Sequence, residues 1–286
     1  MKISAVSEHQ CHLGEGPLWD PRGEVLYWVD SLGPVLYWLD FRHGRVRHCE
    51  LPGETIGSVA VREKGGLILA MDQGFYTFSP QFLKAEPIAL PLAGRHGIRF
   101  NDGKVDPFGH FVSGAMNIDF DRAVNCPMYR LTPEHEVIEI LDGFMCFNGP
   151  CFGEDGKYLY VTGRGDYTAI EVFDYGDEQI PRNGKPLLEC NPDGATVDAE
   201  GYIWSAQWTE ACILRIAPDG EIAGQIDIPN QIVSSVMFGG PDLDLIYVTT
   251  IGREVLGDMP RGEKPGRTLV IEDSGYRGRP EPMFRG

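Results

Sequence analysis

The chain has 286 residues, of which 42% are hydrophobic and 23% charged, proportions typical of a globular protein with a sizeable core. Its formal net charge of −17 at pH 7 argues against a nucleic-acid partner, because phosphate binding needs clustered Lys and Arg. The acidic residues are spread along the chain rather than gathered in one run, so they mainly favour solubility.

Cysteine usage and hydropathy predict the cellular compartment of the protein. The seven cysteines contain no C-x-x-C pair, which is typical of reduced and mostly buried thiols in a cytosolic protein. No apolar stretch is long enough to span a membrane, and the N-terminal "MKISAVSEHQ" lacks the apolar segment of a signal peptide. We therefore expect a cytoplasmic protein without a membrane partner, whose oligomeric state cannot be read from the sequence.

The predicted elements along the chain are strands. Short runs rich in Val, Ile, Tyr, Trp and Phe recur between Gly, Asp or Pro residues: "VLYWVD" at 25, "LILAM" at 67, "YLYVTG" at 158, "YIWSAQW" at 202 and "LIYVTT" at 245. Helical periodicity is hard to find anywhere. We expect regular α-helix to be nearly absent.

These runs belong to a repeat. Four segments share a strand, a D-x-x-G-type turn and a second strand: "WDPRGEVLYWVD" (19–30), "VDPFGHFVSGAM" (105–116), "GEDGKYLYVTG" (153–163, with Gly153 at the first turn position) and "VDAEGYIWSAQ" (197–207). Two looser copies follow the same plan, "VAVREKGGLILAM" (59–71) and "VMFGGPDLDLIYVTT" (236–250). The six copies are about 41 to 47 residues apart, a period typical of β-propeller blades.

The predicted fold is therefore an all-β, six-bladed β-propeller that forms a single domain over residues 1–286. The last copy is short of strands after "TLVIED" (268–273). We expect the N-terminal "KISAVS" to supply the missing strand of that blade.

One position of the repeat carries polar side chains in several copies. Five residues before the first turn position, the four clear copies have Glu15, Asn101, Asn148 and Asp193. The looser copies have Gly57 and, within one or two residues, Ser234. Because equivalent positions of propeller blades face the central channel, we expect the four polar side chains to converge at one of its mouths. Oxygen donors without His or Cys are the set that hard divalent cations prefer, and a cation would relieve the repulsion between Glu15 and Asp193.

Each of these residues also has a simpler interpretation. An Asn-Gly or Asp-Gly pair by itself is most often a turn. The D-x-x-G positions Asp106 and Asp198 are interpreted as turn residues, and Asp102 and Lys104 as turn and blade-packing groups. Four oxygen-bearing residues at one repeat position are less easily explained as turns, because every copy already has a turn of its own.

The motifs that contain these positions resemble a known family. "GEGPLWD", "RFNDGKVDPFG", "NGPCF" and "PDGATVDAEGYIW", in this order and spacing, are similar to the senescence-marker-protein/regucalcin/gluconolactonase family, as is "FGGPDLDLIYVTT". The resemblance covers nearly the whole chain. It implies a six-bladed propeller with one divalent cation in the central channel and hydrolysis of sugar lactones.

Site residues follow from the resemblance position by position. The family's metal ligands match Glu15, Asn148 and Asp193, and its substrate-contacting Arg and Asn match Arg99 and Asn101. The chain departs from the family at Asn117, where other members carry an acidic residue for the substrate. Asn117 is assigned to substrate binding, and the loop 117–128 that follows it leaves the identity of the lactone open.

The reaction expected is opening of an aldonolactone ring to the aldonic acid, with the cation as Lewis acid and Asp193 as general base. Because a carboxylate on a cation is a weak base, metal-bound hydroxide remains an alternative base. Ca, Mg, Mn, Zn and Fe(II) all accept such ligands, so the cation is not specified. Two other functions stay open: a calcium-handling propeller without catalysis, and an arylesterase-type hydrolase of another ester.

Overall fold

The strands form six four-stranded antiparallel sheets. The computed structural model describes residues 1–121, 124–153, 156–163, 168–176, 178–229 and 231–286, and no α-helix occurs in these ranges. It follows that no helix of the described chain is long and apolar enough to cross a membrane. The predicted fold class, an all-β six-bladed propeller, is confirmed by the six sheets and their meander order.

The chain divides into two compact units, residues 1–54 with 191–280 and residues 55–190 with 281–286. We call them the terminal unit and the middle unit. The single domain over residues 1–286 stays a prediction.

The terminal unit contains three sheets. Two are meanders of consecutive strands: β2 (Gly14–Asp20), β3 (Val25–Asp30), β4 (Val35–Asp40) and β5 (Arg45–Glu50), and β18 (Pro192–Val197), β19 (Ile203–Gln207), β20 (Cys212–Ile216) and β21 (Ile222–Asp227). The third joins the ends of the chain: β22 (Val233–Gly239), β23 (Leu245–Thr250), β24 (Leu269–Glu272) and β1 (Lys2–Ala5). Pairing of β1 with β24, with Ile3 opposite Ile271, confirms that the N-terminal strand completes the last blade.

The middle unit contains the other three sheets, all of them meanders. They are β6 (Ile56–Val61), β7 (Leu67–Met71), β8 (Gly74–Ser79) and β9 (Lys84–Ala89); β10 (Ile98–Val105), β11 (Phe111–Asn117), β12 (Cys126–Leu131) and β13 (Val137–Phe144); and β14 (Asn148–Phe152), β15 (Tyr158–Thr162), β16 (Ala169–Asp174) and β17 (Arg182–Glu189).

The outermost strand is the least buried strand of each sheet. Every residue of β6 and β7 is buried, whereas β5, β17 and β21 are mostly exposed. The inner strands therefore have near-continuous apolar sequences, and these are the runs that the sequence revealed. The fourth strands are polar because one edge and most side chains face solvent, so they gave no comparable signal.

The D-x-x-G turns are held by their aspartates, as predicted. Asp106 Oδ1 accepts the backbone N–H of Phe108 and His110, each at 2.9 Å, and Tyr175 donates its hydroxyl to Asp106 Oδ2 at 2.8 Å. Asp198 repeats the arrangement, with two backbone N–H groups on Oδ1 and Trp204 Nε1 on Oδ2 at 2.9 Å. Both carboxylates are buried, and their hydrogen bonds close the hairpin between the first two strands. In the 153–163 copy, residues 154–155 lie outside the described residues.

Candidate functional site

Every first strand has a β-bulge at the matched repeat position. The pairing of each first strand with its second strand shifts register at or directly after that position, between Glu15 and Leu18, Ile56 and Ser58, Phe100 and Gly103, Asn148 and Cys151, Pro192 and Ala195, and Val233 and Ser235. The pairs of second and third strands have no such shift. A bulge changes the direction in which side chains point and is frequent beside active sites. The matched position is therefore distinguished from the rest of the first strand in all six blades. Ser234, which the sequence aligned only approximately, lies inside its bulge.

In the terminal unit the matched residues lie on three strands that pack side by side. Strand β22 contacts both β18 and β2, so Ser234 stands on the strand between those of Asp193 and Glu15. The Ser234 hydroxyl donates to the backbone oxygen of Gly14 at 2.5 Å and hydrogen-bonds to Thr249 Oγ1 at 3.0 Å. Strand β22 is therefore tied to β2 one residue before Glu15.

The two carboxylates of this unit differ in exposure. Asp193 is 5% exposed, whereas Glu15 is half-buried and accepts the backbone N–H of Gly16 at 3.3 Å through Oε2. A buried carboxylate is costly unless a cation or hydrogen bonds compensate its charge. Oxygen donors of this kind suit Ca²⁺ or Mg²⁺, so the residues of the terminal unit fit a hard divalent cation.

In the middle unit the matched residues form a hydrogen-bonded amide pair. Strand β10 packs against β6 and β14, which carry Gly57 and Asn148 on either side of Asn101. Asn101 Nδ2 donates to Asn148 Oδ1 at 2.6 Å and to the backbone oxygen of Phe147 at 2.9 Å. A Cβ atom on Gly57 would lie 2.1 Å from the backbone oxygen of Asn101, so glycine permits β6 to approach this closely.

Arg99 lies beside the amide pair and is 7% exposed. Its Nη1 donates to the backbone oxygen of Phe100 at 2.8 Å and to Asn101 Oδ1 at 3.3 Å. The structure therefore connects Arg99, Asn101 and Asn148 by a series of hydrogen bonds. The buried positive charge of Arg99 lies at one end of that series.

Asp102 joins the bulges of β10 and β14 in the middle unit. Its carboxylate accepts the backbone N–H of Gly103 at 2.7 Å and that of Gly149 at 2.9 Å. Burial raises the pKa of Asp102, and the Lys104 ammonium and the two backbone N–H groups oppose that rise. Gly149 has φ +55°, a left-handed conformation that favours glycine, and it directly follows Asn148. The packing role assigned to Asp102 therefore extends to the backbone of the Asn148 bulge.

Asn117 ends β11 beside this group, since Met116 pairs with Arg99 and Asn117 with Ile98. It is 4% exposed, and its Oδ1 accepts the backbone N–H of Asp119 at 2.9 Å and Asp121 at 3.1 Å. This side chain thus shapes the first turn of the 117–128 loop. Its substrate-binding role stays a prediction, and residues 122–123 of that loop lie outside the described residues.

The terminal unit contains a long connection between β23 and β24. The segment 251–268 between β23 and β24 contributes Ile251 and Val255 to an apolar cluster with Leu13 and Ile232. Trp208 packs on this cluster and donates Nε1 to Asp258 Oδ2 at 2.7 Å. Leu13 lies two residues before Glu15, and Trp208 directly follows Gln207, which pairs with Pro192, the residue before Asp193.

Sequence reasoning missed Cys146 and the contacts that Ser234 and Asp102 make in these groups. Cys146 Sγ lies 3.4 Å from Asn101 Nδ2 and 3.6 Å from Asn148 Nδ2, yet an isolated cysteine gave no signal. The hydrogen bond from Ser234 and the carboxylate bridge from Asp102 depend on neighbouring strands. Ser234 was already aligned with the matched repeat position, and it lies in a bulge equivalent to those of Glu15 and Asp193, but its hydrogen bond to Gly14 was not predicted.

Among the described residues, no three or more His, Cys, Asp and Glu side chains cluster as a metal site would require. The predicted ligand set contains only two carboxylates and one amide, so such a cluster is not expected of it. The assignments of Glu15, Asn148 and Asp193 as ligands stay predictions.

Comparison with known proteins gives one family. Residues 13–252 match the family model described as SMP-30/Gluconolactonase/LRE-like region. The chain is 34% identical to a 6-deoxy-6-sulfogluconolactonase of Pseudomonas putida, with 99% of each chain covered. It is 32% identical to the pentonolactonase XacC of Haloferax volcanii, covering 98% of this chain and 97% of the relative. The solved structure of a calcium-binding protein, regucalcin, from Agrobacterium tumefaciens is similar with a TM-score of 0.88 and 25% identity, covering 99% of this chain and 97% of that one.

Proposed function

We propose a function for this chain from the premise that it belongs to the SMP-30/gluconolactonase/LRE-like family: it is a lactonase that opens a sugar lactone to the aldonic acid. Its relatives named as lactonases, at 34% and 32% identity over nearly the full length, support the reaction class. The observation that carries the proposal is the polar side chains at the first-strand bulges of each unit: Glu15 and Asp193 in the terminal unit, and Asn101 and Asn148, beside the buried Arg99, in the middle unit.

We propose a divalent cation as cofactor, with Glu15, Asn148 and Asp193 as its oxygen ligands. The calcium-binding description of the regucalcin structure supports a cation in this family. When bound, the cation supplies Lewis-acid polarisation of the lactone carbonyl. Carboxylate and amide oxygens such as these fit a hard cation such as Ca²⁺, Mg²⁺ or Mn²⁺.

The chain's own residues supply orientation and proton transfer. The Arg99 guanidinium is held by the backbone oxygen of Phe100, so its charge is directed before the substrate binds. Such a fixed cation suits the hydroxyl oxygens of a polyol ring and the carboxylate of the product. Asp193, at 5% exposure, is the proposed general base that takes a proton from the attacking water.

The overall reaction balances without a redox partner. Water oxygen adds to the lactone carbonyl carbon, and the bond between that carbon and the ring oxygen then breaks. The proton taken from water passes to the ring oxygen, which becomes a hydroxyl of the open acid. The enzyme returns to its starting protonation state.

The test is an assay of acid release on metal-stripped protein with single cations restored. We expect at least one aldonolactone among glucono-, galactono-, xylono-, arabinono- and rhamnono-lactones to be hydrolysed only after a cation is added. Faster hydrolysis of phenyl acetate would favour the arylesterase function instead. Cation binding without turnover of any lactone would favour a calcium-handling protein, although such a protein has no evident use for Arg99.

A further inference from the structure

The Asn101 side chain has no N–H left to offer a ligand. A carboxamide carries two N–H hydrogens, and Nδ2 makes two short contacts, to Asn148 Oδ1 at 2.6 Å and to the backbone oxygen of Phe147 at 2.9 Å. The Cys146 sulfur lies 3.4 Å from Asn101 Nδ2, on the same side of the amide, and is a weaker acceptor. Both donor hydrogens are therefore used inside the protein.

The orientation of this amide is set by its neighbours. Arg99 Nη1 lies 3.3 Å from Asn101 Oδ1, so a donor faces the oxygen while acceptors face the nitrogen. A flipped amide would place its oxygen against the oxygens of Phe147 and Asn148 and its N–H groups against the guanidinium. Each such mismatch replaces a hydrogen bond by a repulsive contact, so the observed orientation is strongly preferred.

The fixed orientation of the Asn101 amide also determines the orientation of the Asn148 amide. Asn148 Oδ1 accepts the Asn101 hydrogen at 2.6 Å, and Asn148 Nδ2 lies 3.6 Å from the Cys146 sulfur. An amide oxygen has a second lone pair, which remains after this hydrogen bond is made. The backbone directly after Asn148 is held as well, because Asp102 accepts the Gly149 N–H at 2.9 Å.

We propose that Asn101 is a positioning residue, which fixes the Asn148 amide with its oxygen as the available ligand atom. This inference rests on the proposed function, in which the Asn148 oxygen binds a divalent cation. Loss of a hydrogen bond that orients a metal ligand typically lowers metal affinity about 10–100-fold. Cys146 assists Asn101 by accepting from both amides.

The experiment measures cation affinity in the absence of any lactone. Ca²⁺ and Mn²⁺ are titrated separately into metal-free full-length protein by calorimetry, for the wild type and for Asn101→Leu, which keeps the side-chain size but removes the amide. We expect a dissociation constant about 10-fold or more above the wild type. Asn101→Ala serves as a second variant, should the leucine side chain prevent folding.

Thr162→Val is the matched control. Thr162 pairs with Asn148 in the same sheet, and its buried hydroxyl donates to the backbone oxygen of Ala169 at 2.7 Å. The valine variant loses a buried donor of the same sheet without changing the amide pair, so its cation affinity should equal that of the wild type. Cys146→Ala should weaken binding by a smaller factor than Asn101→Leu.

The outcomes separate this inference from the proposed function. Unchanged cation affinity in both Asn101 variants, with a raised KM for the lactone, would assign Asn101 to the substrate and overturn the proposal. Weakened cation affinity in a protein that hydrolyses no lactone would support the positioning role while the proposed function fails. A wild-type protein that binds neither cation would overturn the positioning role as well, whatever its activity.

Discussion

The Ser234 hydroxyl lies 2.5 Å from the backbone oxygen of Gly14, the residue before Glu15, so the bulge of β22 holds the bulge of β2 in place. Ser234→Ala removes this bond and the contact with Thr249 Oγ1. We expect the free energy of unfolding to fall by about 1–3 kcal/mol, because a buried carbonyl oxygen loses its donor. If Glu15 binds the cation, affinity should also fall, which calorimetry on the metal-free protein would detect. Unchanged stability and affinity would show that the Gly14 strand does not depend on this hydroxyl.

Asp193→Asn tests the buried carboxylate without changing its size. We expect loss of cation binding and a fall in kcat of about 100-fold or more, since a general base and a ligand charge are both removed. The measurement is acid release from a responsive lactone, with dissociation of the cation followed in parallel. Asp227→Asn, on the outer strand of the same sheet where Gln225 donates to it at 2.6 Å, is the control and should keep full activity. Wild-type turnover in the Asp193 variant would refute its role.

Trp208→Phe tests the attachment of the 251–268 segment. The variant keeps an aromatic ring but loses the bond from Nε1 to Asp258 Oδ2 at 2.7 Å. We expect faster amide hydrogen exchange over residues 252–262, because this bond to a charged acceptor fixes the segment on the apolar cluster. Exchange in β19, directly before Trp208, should stay slow. Equal exchange in wild type and variant would mean that the backbone bonds of the segment suffice to hold it.

Asp198→Ala separates turn residues from site residues. Its carboxylate accepts Arg215 Nε at 2.8 Å besides the bonds that close the turn, and both side chains are buried. Removing it leaves the Arg215 charge without this partner, so we expect stability to fall by about 3–5 kcal/mol in urea denaturation. Activity per folded molecule should change little. A variant of normal stability and greatly reduced kcat would instead place Asp198 in the chemistry.

We expect the His9 imidazole to have a pKa below its ordinary value. Burial lowers its pKa, and the charge of His48, whose ring centroid lies 5.6 Å away, lowers it further. The unfolded chain therefore binds a proton more readily than the native state. The contribution of His9 to the free energy of unfolding is present above about pH 6.5 and is lost as the pH falls through the lowered pKa of the native state. NMR titration should give His9 a pKa below the ordinary value, partly restored in His48→Gln. No change in that variant would leave burial as the whole cause.

Much of the fold was predictable because its signals are local. The apolar runs at 25–30 and 245–250 and the D-x-x-G turns repeat with one period, and each turn aspartate bonds to backbone N–H groups within four residues. The outer strands were not recognisable, since their side chains are mostly exposed and carry no pattern. The completion of the last blade by β1 was predicted by counting strands, and it is confirmed.

The residues at the matched bulges could be located from the sequence, whereas their hydrogen bonds could not, and their roles in a site stay predictions. Counting back from each turn located Glu15, Asn101, Asn148 and Asp193, because a repeat places equivalent residues at equivalent bulges. What the side chains do there depends on strands that lie far away in the sequence. Asn117 illustrates the difference, since its oxygen caps the turn that begins its own loop.

The sequence by itself determined the class of fold, the number of blades and the repeat position that carries the polar residues, because strand periodicity and turn chemistry act over a few neighbouring residues. Only the tertiary structure decided that Asn101 donates both its hydrogens to the segment 147–148, and that Ser234 supports the strand of Glu15. Hydrogen bonds form only within about 3 Å. Distances on that scale, between residues up to 220 positions apart, are set by how neighbouring sheets pack and leave no mark on the local sequence.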